Sequence, residues 1–195
     1  QVVSAANPYP SKNVTVTKLP IGTTVKLDGT ADDAAWKDAT PMSLQPQSES
    51  AATQVRAVFD DKLLYLAIRC AGNKTGRLQS TGDRRDDDTI FDGDCIEVSF
   101  RTGDHKLPFH FAVNPENGQW DGRGDFADWN GDWQSQTHDD EHAWTVEFAI
   151  PWNSIGGRPP KGHALRAFFC RRNGASGEAT GVVRELSGLG VSADP

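Results

Sequence analysis

Six tryptophans and a surplus of carboxylates are the residues of this chain best suited to chemistry. A pyranose ring presents an apolar C–H face that packs on an aromatic plane, while its hydroxyls need directed polar partners. Trp120, Trp129 and Trp133 fall in or beside polar segments carrying Asp121, Asp125, Asp128 and Asp132. Such polar-rimmed aromatics are candidates for ring stacking, with loop anchoring as the alternative. Trp36, Trp144 and Trp152 lie on apolar stretches and are expected in the core. Glu97 and His110 each occupy the polar side of an alternating segment. Paired strands would turn both toward one surface; an ordinary solvated sheet face is the alternative.

Metal and catalytic motifs are weaker. His138-Asp139-Asp140-Glu141-His142 has the H-x-x-E-H spacing of inverted zinc proteases, which needs a helix to bring both histidines to one face. It lies just before an alternating segment, so a charged hairpin turn is expected instead. Asp86, Asp87, Asp88, Asp92 and Asp94 make an oxygen-rich loop of the kind that can hold calcium, with a solvated acidic loop as the alternative. Asp128, Asn130 and Asp132 fall on EF-hand ligand positions, but Trp133 stands where that motif requires Gly. Paired carboxylates are plentiful but unmarked by spacing. No G-x-S-x-G elbow, phosphate loop or dinucleotide fingerprint occurs. No catalytic residue is assigned, and the chain is expected not to be an enzyme and to need no organic cofactor.

Strands must position these groups, because period-2 alternation dominates the chain. Val55, Ala57 and Phe59 share one face before an Asp60-Asp61 turn, followed by Leu64, Leu66, Ile68 and Cys70. Ile96, Val98 and Phe100 form a third series, and Phe109, Phe111 and Val113 a fourth. Trp144, Val146, Phe148 and Ile150 form a fifth, and Leu165, Ala167 and Phe169 close the pattern. Helical signal is limited to short turns at Asp32 to Ala39 and Pro151 to Ile155. The expected fold is all-β, an antiparallel β-sandwich of immunoglobulin-like or jelly-roll type with one or two short helical turns. Residues 1–24 are read as an N-terminal extension and 25–195 as a single sandwich domain.

Charge removes several function classes. The formal net charge is −7, and no stripe of Lys and Arg offers the phosphate contacts that nucleic acids and anionic membranes require. No apolar run approaches the ~20 residues of a membrane span. Cys70, Cys95 and Cys170 form neither a metal spacing nor an even disulfide set and are expected as buried thiols. Asn13-Val14-Thr15 and Asn73-Lys74-Thr75 are glycosylation sequons, meaningful only in a eukaryotic secretory host.

Lys26-Leu27-Asp28-Gly29-Thr30-Ala31-Asp32-Asp33-Ala34-Ala35-Trp36 resembles the opening signature of carbohydrate-binding module family 9. Four further pieces follow in the family's order: Val55 to Leu66, Gly93 to Val98, Phe111 to Pro115 and Trp144 to Trp152. The resemblance spans roughly residues 25 to 172. It implies a sandwich attached to glycan-degrading or cell-surface proteins, hence a secreted, cell-surface or periplasmic location. It also implies structural calcium and a sugar gripped between aromatic rings. Phe91 takes the family's stacking position, and Glu97 that of the carboxylate contacting sugar hydroxyls. The family's Arg on the next strand is replaced by Ala112, with His110 the nearest polar substitute, and Glu178 to Pro195 contains no aromatic.

The expected function is a non-catalytic module that docks a partner protein onto polysaccharide. Its site residues would be Phe91, Glu97, His110, Trp120, Trp129 and Trp133. Two alternatives are an interaction domain of a larger surface protein without a sugar site, and a DOMON-like haem or redox domain. The latter would need axial Met or His ligands, and Met42 is the only methionine.

Overall fold

The alternating segments form two sheets packed face to face. The computed structural model describes residues 12–44, 52–72, 78–82, 84–103, 105–124, 126 and 128–190. Asp125 and the Asn73-Lys74-Thr75 sequon lie outside the described residues. The strands are β1 (Lys12–Thr15), β2 (Thr17–Lys18), β3 (Met42–Leu44), β4 (Thr53–Phe59), β5 (Leu63–Ala71) and β6 (Cys95–Arg101). They continue as β7 (Phe109–Val113), β8 (Gln119–Arg123), β9 (Gln134–Asp139), β10 (Ala143–Pro151), β11 (Leu165–Asn173) and β12 (Glu178–Ser187). One sheet runs β1-β12-β11-β6-β7-β8 and the other β2-β4-β5-β10-β9, with β3 pairing on β4. Ladders are antiparallel except at β1–β12 and β2–β4, where the chain's first strands join in parallel. Residues 12–18, within the segment read as an extension, thus add one strand to each sheet.

Each predicted apolar series points between the sheets, and the side chains named for all six are buried in one cluster. Trp144 is fully buried and Trp152 nearly so, as expected of core tryptophans. The expected helical turns are both short 3-10 turns, Ala34–Trp36 and Trp152–Ile155. The H-x-x-E-H segment is the β9–β10 hairpin: Asp140 Oδ1 accepts from the backbone N–H groups of His142 and Ala143. All three cysteines are free and buried, and burial pushes the Cys70 and Cys170 thiols up to about 12.

Strand β10 is buried on both faces because the segment before β3 folds over the outside of its sheet. Leu19, Trp36 and Ala39 pack there against Val58, Tyr65, Ala67 and Ala149. The fastening is Glu147, fully buried on β10. Its Oε2 accepts from the backbone N–H groups of Asp28 and Gly29 at 3.0 and 2.7 Å, and its Oε1 from Trp36 Nε1 at 3.1 Å. Gly29 is required at this turn: its φ is +83°, and a Cβ would lie 2.4 Å from the Thr137 carbonyl carbon on β9. The Asp-Gly and Trp of the opening motif are therefore the pieces that lock onto a buried glutamate 111 to 119 residues further along the chain.

Candidate functional site

The other sheet carries the candidate site on its outer face. Alternation on β6 sends Ile96, Val98 and Phe100 inward and leaves Cys95, Glu97, Ser99 and Arg101 outward. Glu97 lies opposite Ala112 of β7 and Cys170 of β11, and Ala112 lies opposite Trp120 of β8. Trp120 is therefore a strand residue rather than the loop residue its polar surroundings imply.

A 3-10 turn, Asp88–Asp92, lies over this face. Asp87 starts it by accepting from the Thr89 backbone N–H and hydroxyl at 3.0 and 2.7 Å. Ile90 pins it down by packing into a cluster with Cys95, Ala112 and Trp120. The small Ala112 side chain leaves the room for that contact. Gly93 then returns the chain to β6, and Asp94 fixes the return by accepting from the Gln79 N–H at 2.7 Å.

Phe91 is thereby held, partly exposed, beside the strand groups. Its ring centroid is 5.0 Å from Trp120 in an edge contact and 5.8 Å from His110. Glu97 is nearly buried, and both its oxygens are engaged: Oε2 lies 3.0 Å from His110 Nε2, and Oε1 accepts from Arg172 Nε at 2.6 Å. His110 Nδ1 faces the Gly124 carbonyl at 3.1 Å. Both imidazole nitrogens thus face oxygen atoms. The Arg172 guanidinium lies 5.5 Å from the Phe91 centroid. An aromatic face, a carboxylate with lone pairs to spare and a guanidinium with unused N–H groups converge here.

The six residues singled out from sequence divide cleanly. Phe91, Glu97, His110 and Trp120 come together on the outer face. Trp120 is 2% exposed, with its Nε1 donating to Asp88 Oδ1 at 2.8 Å, so it backs Phe91 and offers no open face of its own. Trp129 and Trp133 lie on the core side. Trp129 meets Phe109 and Phe111 edge-on at 5.3 and 5.9 Å. Trp133 is 5% exposed, stacks on Phe148 and donates from Nε1 to the fully buried Asp121 at 3.0 Å. Asp121 also accepts from the Gly131 N–H and pairs with Arg85. Stacking on a ligand needs an open ring face, and Trp133 has none.

Arg172 is the site residue the sequence reading missed. The alternation was closed at Phe169, but β11 runs on to Asn173, which places Arg172 outward beside Cys170. It supplies from β11 a guanidinium at the carboxylate that Ala112 cannot supply from β7.

Four of the acidic loop's five aspartates are tied up in the fold. Asp86 accepts from the Asp121 N–H, Asp87 from Thr89, Asp88 from Trp120 and Asp94 from Gln79. Among the described residues no group of three or more His, Cys, Asp or Glu side chains could hold a metal ion. Met42 is buried in the core and both His110 nitrogens are engaged, so neither is presented as an axial haem ligand.

Burial pushes the Glu97 carboxyl up, but the His110 hydrogen bond and the Arg172 charge outweigh it and hold the group below the ordinary glutamate range. A depressed carboxyl stabilises the fold above its unfolded value, and that contribution is lost as pH falls through the folded one. Thermal midpoints followed from about pH 7 to 3 should show an acid limb that flattens in Glu97→Gln. An unchanged limb would mean that this cluster carries no linked stability.

The comparisons agree with the architecture. A β-sandwich carries a part-exposed aromatic, a carboxylate and a guanidinium together on one outer sheet face. The description "Carbohydrate family 9 binding domain-like" matches residues 27–184, and the chain belongs to that family. A family 9 carbohydrate-binding module from Caldicellulosiruptor kristjanssonii, solved in complex with cellotriose, shares the fold with a TM-score of 0.66 at 16% identity, covering 94% of this chain and 100% of that one. The same organism's module in complex with glucose gives 0.67 at 16% identity, covering 94% and 99%. No curated protein matches the sequence.

Proposed function

We propose that this domain is a non-catalytic carbohydrate-binding module and that its ligand lies on the outer face of β6, β7 and β11. The part-exposed Phe91 ring beside the Glu97–His110–Arg172 cluster carries the reading. Phe91 packs on a pyranose face, Glu97 accepts from sugar hydroxyls and Arg172 donates to them. The bound sugars of the two family 9 modules make cellotriose and glucose the first ligands to test. Such a module, secreted or at a cell surface or in a periplasm, would hold a partner catalytic or surface protein against polysaccharide by raising effective concentration.

The test is calorimetry with cellotriose, glucose and xylo-oligosaccharides, together with pull-down on cellulose, chitin, xylan and mannan. Phe91→Ala should weaken the binding about tenfold, from lost ring contact and apolar burial, while circular dichroism stays unchanged. A blank across the panel for the wild-type protein overturns the reading.

A further inference from the structure

The turn that follows β8 carries exposed apolar surface beside the Phe91 site. Among the described residues three large hydrophobic side chains stand exposed, Ile21, Leu107 and Phe126, and two of them flank this one turn. Phe126 is 62% exposed, and its ring enters no aromatic or cation contact among the described residues. Leu107 is 42% exposed, and its Cδ2 lies 3.5 Å from where a Cβ on Gly124 would be. A lone exposed apolar side chain needs no explanation, but two held together at one turn mark a contact surface.

The turn is tied to the site by backbone bonds. Arg123 donates its N–H to the Phe126 carbonyl at 2.9 Å and accepts from the Phe126 N–H at 3.3 Å. Gly124 supplies the left-handed conformation, φ +63°, that so tight a reversal needs. Its N–H donates to the Pro108 carbonyl at 2.8 Å, and its own carbonyl faces His110 Nδ1 at 3.1 Å. The Arg123 guanidinium lies 4.0 Å from the Phe109 centroid and donates to the Leu107 carbonyl at 2.9 Å. His110 thus meets Glu97 through one nitrogen and the Phe126 turn through the other. The turn also brings the chain across the same outer face. Gly122 of β8 lies opposite His110, one strand spacing or ~4.8 Å across the sheet. A Cβ on Gly122 would lie 2.4 Å from the Phe126 carbonyl oxygen and 2.7 Å from Trp120 Cη2. Glycine there lets the Phe126 backbone settle on the sheet next to Trp120, the ring that backs Phe91. The exposed apolar surface is therefore continuous with the candidate site, on the β8 side of His110.

We propose that Phe126 and Leu107 form a second contact surface for the sugar units next to the one at Phe91, and that the module therefore binds oligosaccharide in preference to monosaccharide. Phe126 packs on the C–H face of a neighbouring pyranose, and Leu107 covers the rim of that contact. The proposal rests on the sugar-binding reading of the Phe91 site and adds to it the length of chain that is read.

Calorimetry of the intact chain with glucose, cellobiose, cellotriose and cellotetraose, and with the matching xylose series, tests it. Affinity should rise about tenfold or more from monosaccharide to trisaccharide, the gain from one further aromatic contact. Phe126→Ala should remove that gain and leave monosaccharide affinity and circular dichroism unchanged, because the side chain is exposed and outside the Phe91 cluster. Phe126→Tyr keeps the ring and should keep the gain. Affinity that does not change with chain length, or a length dependence surviving in Phe126→Ala, overturns the proposal. So does sedimentation in which the wild-type chain is a dimer and Phe126→Ala a monomer with the length dependence intact, since the surface would then join two copies. If Phe91→Ala leaves monosaccharide binding intact while Phe126→Ala loses the length gain, the Phe91 reading fails and the second surface stands alone. If no sugar binds the wild-type protein, both fall.

Discussion

Glu147→Ala should lose about 3 kcal/mol or more of folding stability, read as a lower urea midpoint at unchanged slope. Three donors end on this carboxylate, from Asp28, Gly29 and Trp36, and each buried donor left without a partner costs about 1–3 kcal/mol. The loss should also loosen the outer layer, since these bonds hold the segment bearing Leu19, Trp36 and Ala39 on its sheet. Glu147→Gln keeps one acceptor and should lose less. Burial pushes the Glu147 carboxyl up despite those donors. Its contribution is therefore fullest below the unfolded value and declines as pH rises through the folded one, opposite in sense to Glu97. A loss below about 1 kcal/mol in the alanine variant would show that the turn is held by apolar packing alone.

Glu97→Ala should weaken oligosaccharide binding about a hundredfold. A charge-assisted hydrogen bond contributes about 1.5–3 kcal/mol, or roughly 10- to 150-fold in affinity, and Glu97 also orients Arg172 and His110. The fold should survive at neutral pH because Arg172 is partly exposed and can be rehydrated. Arg172→Lys separates orientation from charge. It keeps the cation but loses the planar fork over Phe91, and it should fall between Glu97→Ala and wild type. Wild-type affinity in Glu97→Ala would move the ligand away from this cluster.

The core was legible because each apolar series named from sequence keeps an unbroken apolar row on its inward face. The inward rows Val55, Ala57, Phe59 and Trp144, Val146, Phe148, Ile150 land as expected, while Val58 and Ala149 on the opposite faces pack under the outer segment. Strands β8 and β9 were not legible. Gln119–Arg123 places Asp121 at an inward position, and Gln134–Asp139 is polar at nearly every residue. Trp133, read as a polar-rimmed aromatic, is buried for the same reason. The Asp121 that made its neighbourhood look solvated is itself wholly buried and receives the Trp133 N–H. At the site, alternation pointed to Glu97 and His110, and family resemblance to Phe91. Arg172 escaped because the polar end of β11 breaks the apolar pattern while the ladder continues through Arg172 opposite Cys95.

The parallel pairing of β1 with β12 has a mechanical consequence. Lys12 to Thr15 run alongside Arg184 to Ser187 in the same direction, so tension applied across residues 12 and 190 drags the two strands past each other along their length. That geometry loads the ladder's hydrogen bonds together instead of peeling them one by one. A domain tethered at both ends while gripping an immobile surface would meet a sustained pull with its most cooperative bonds, and single-molecule stretching across those residues should register one abrupt rupture.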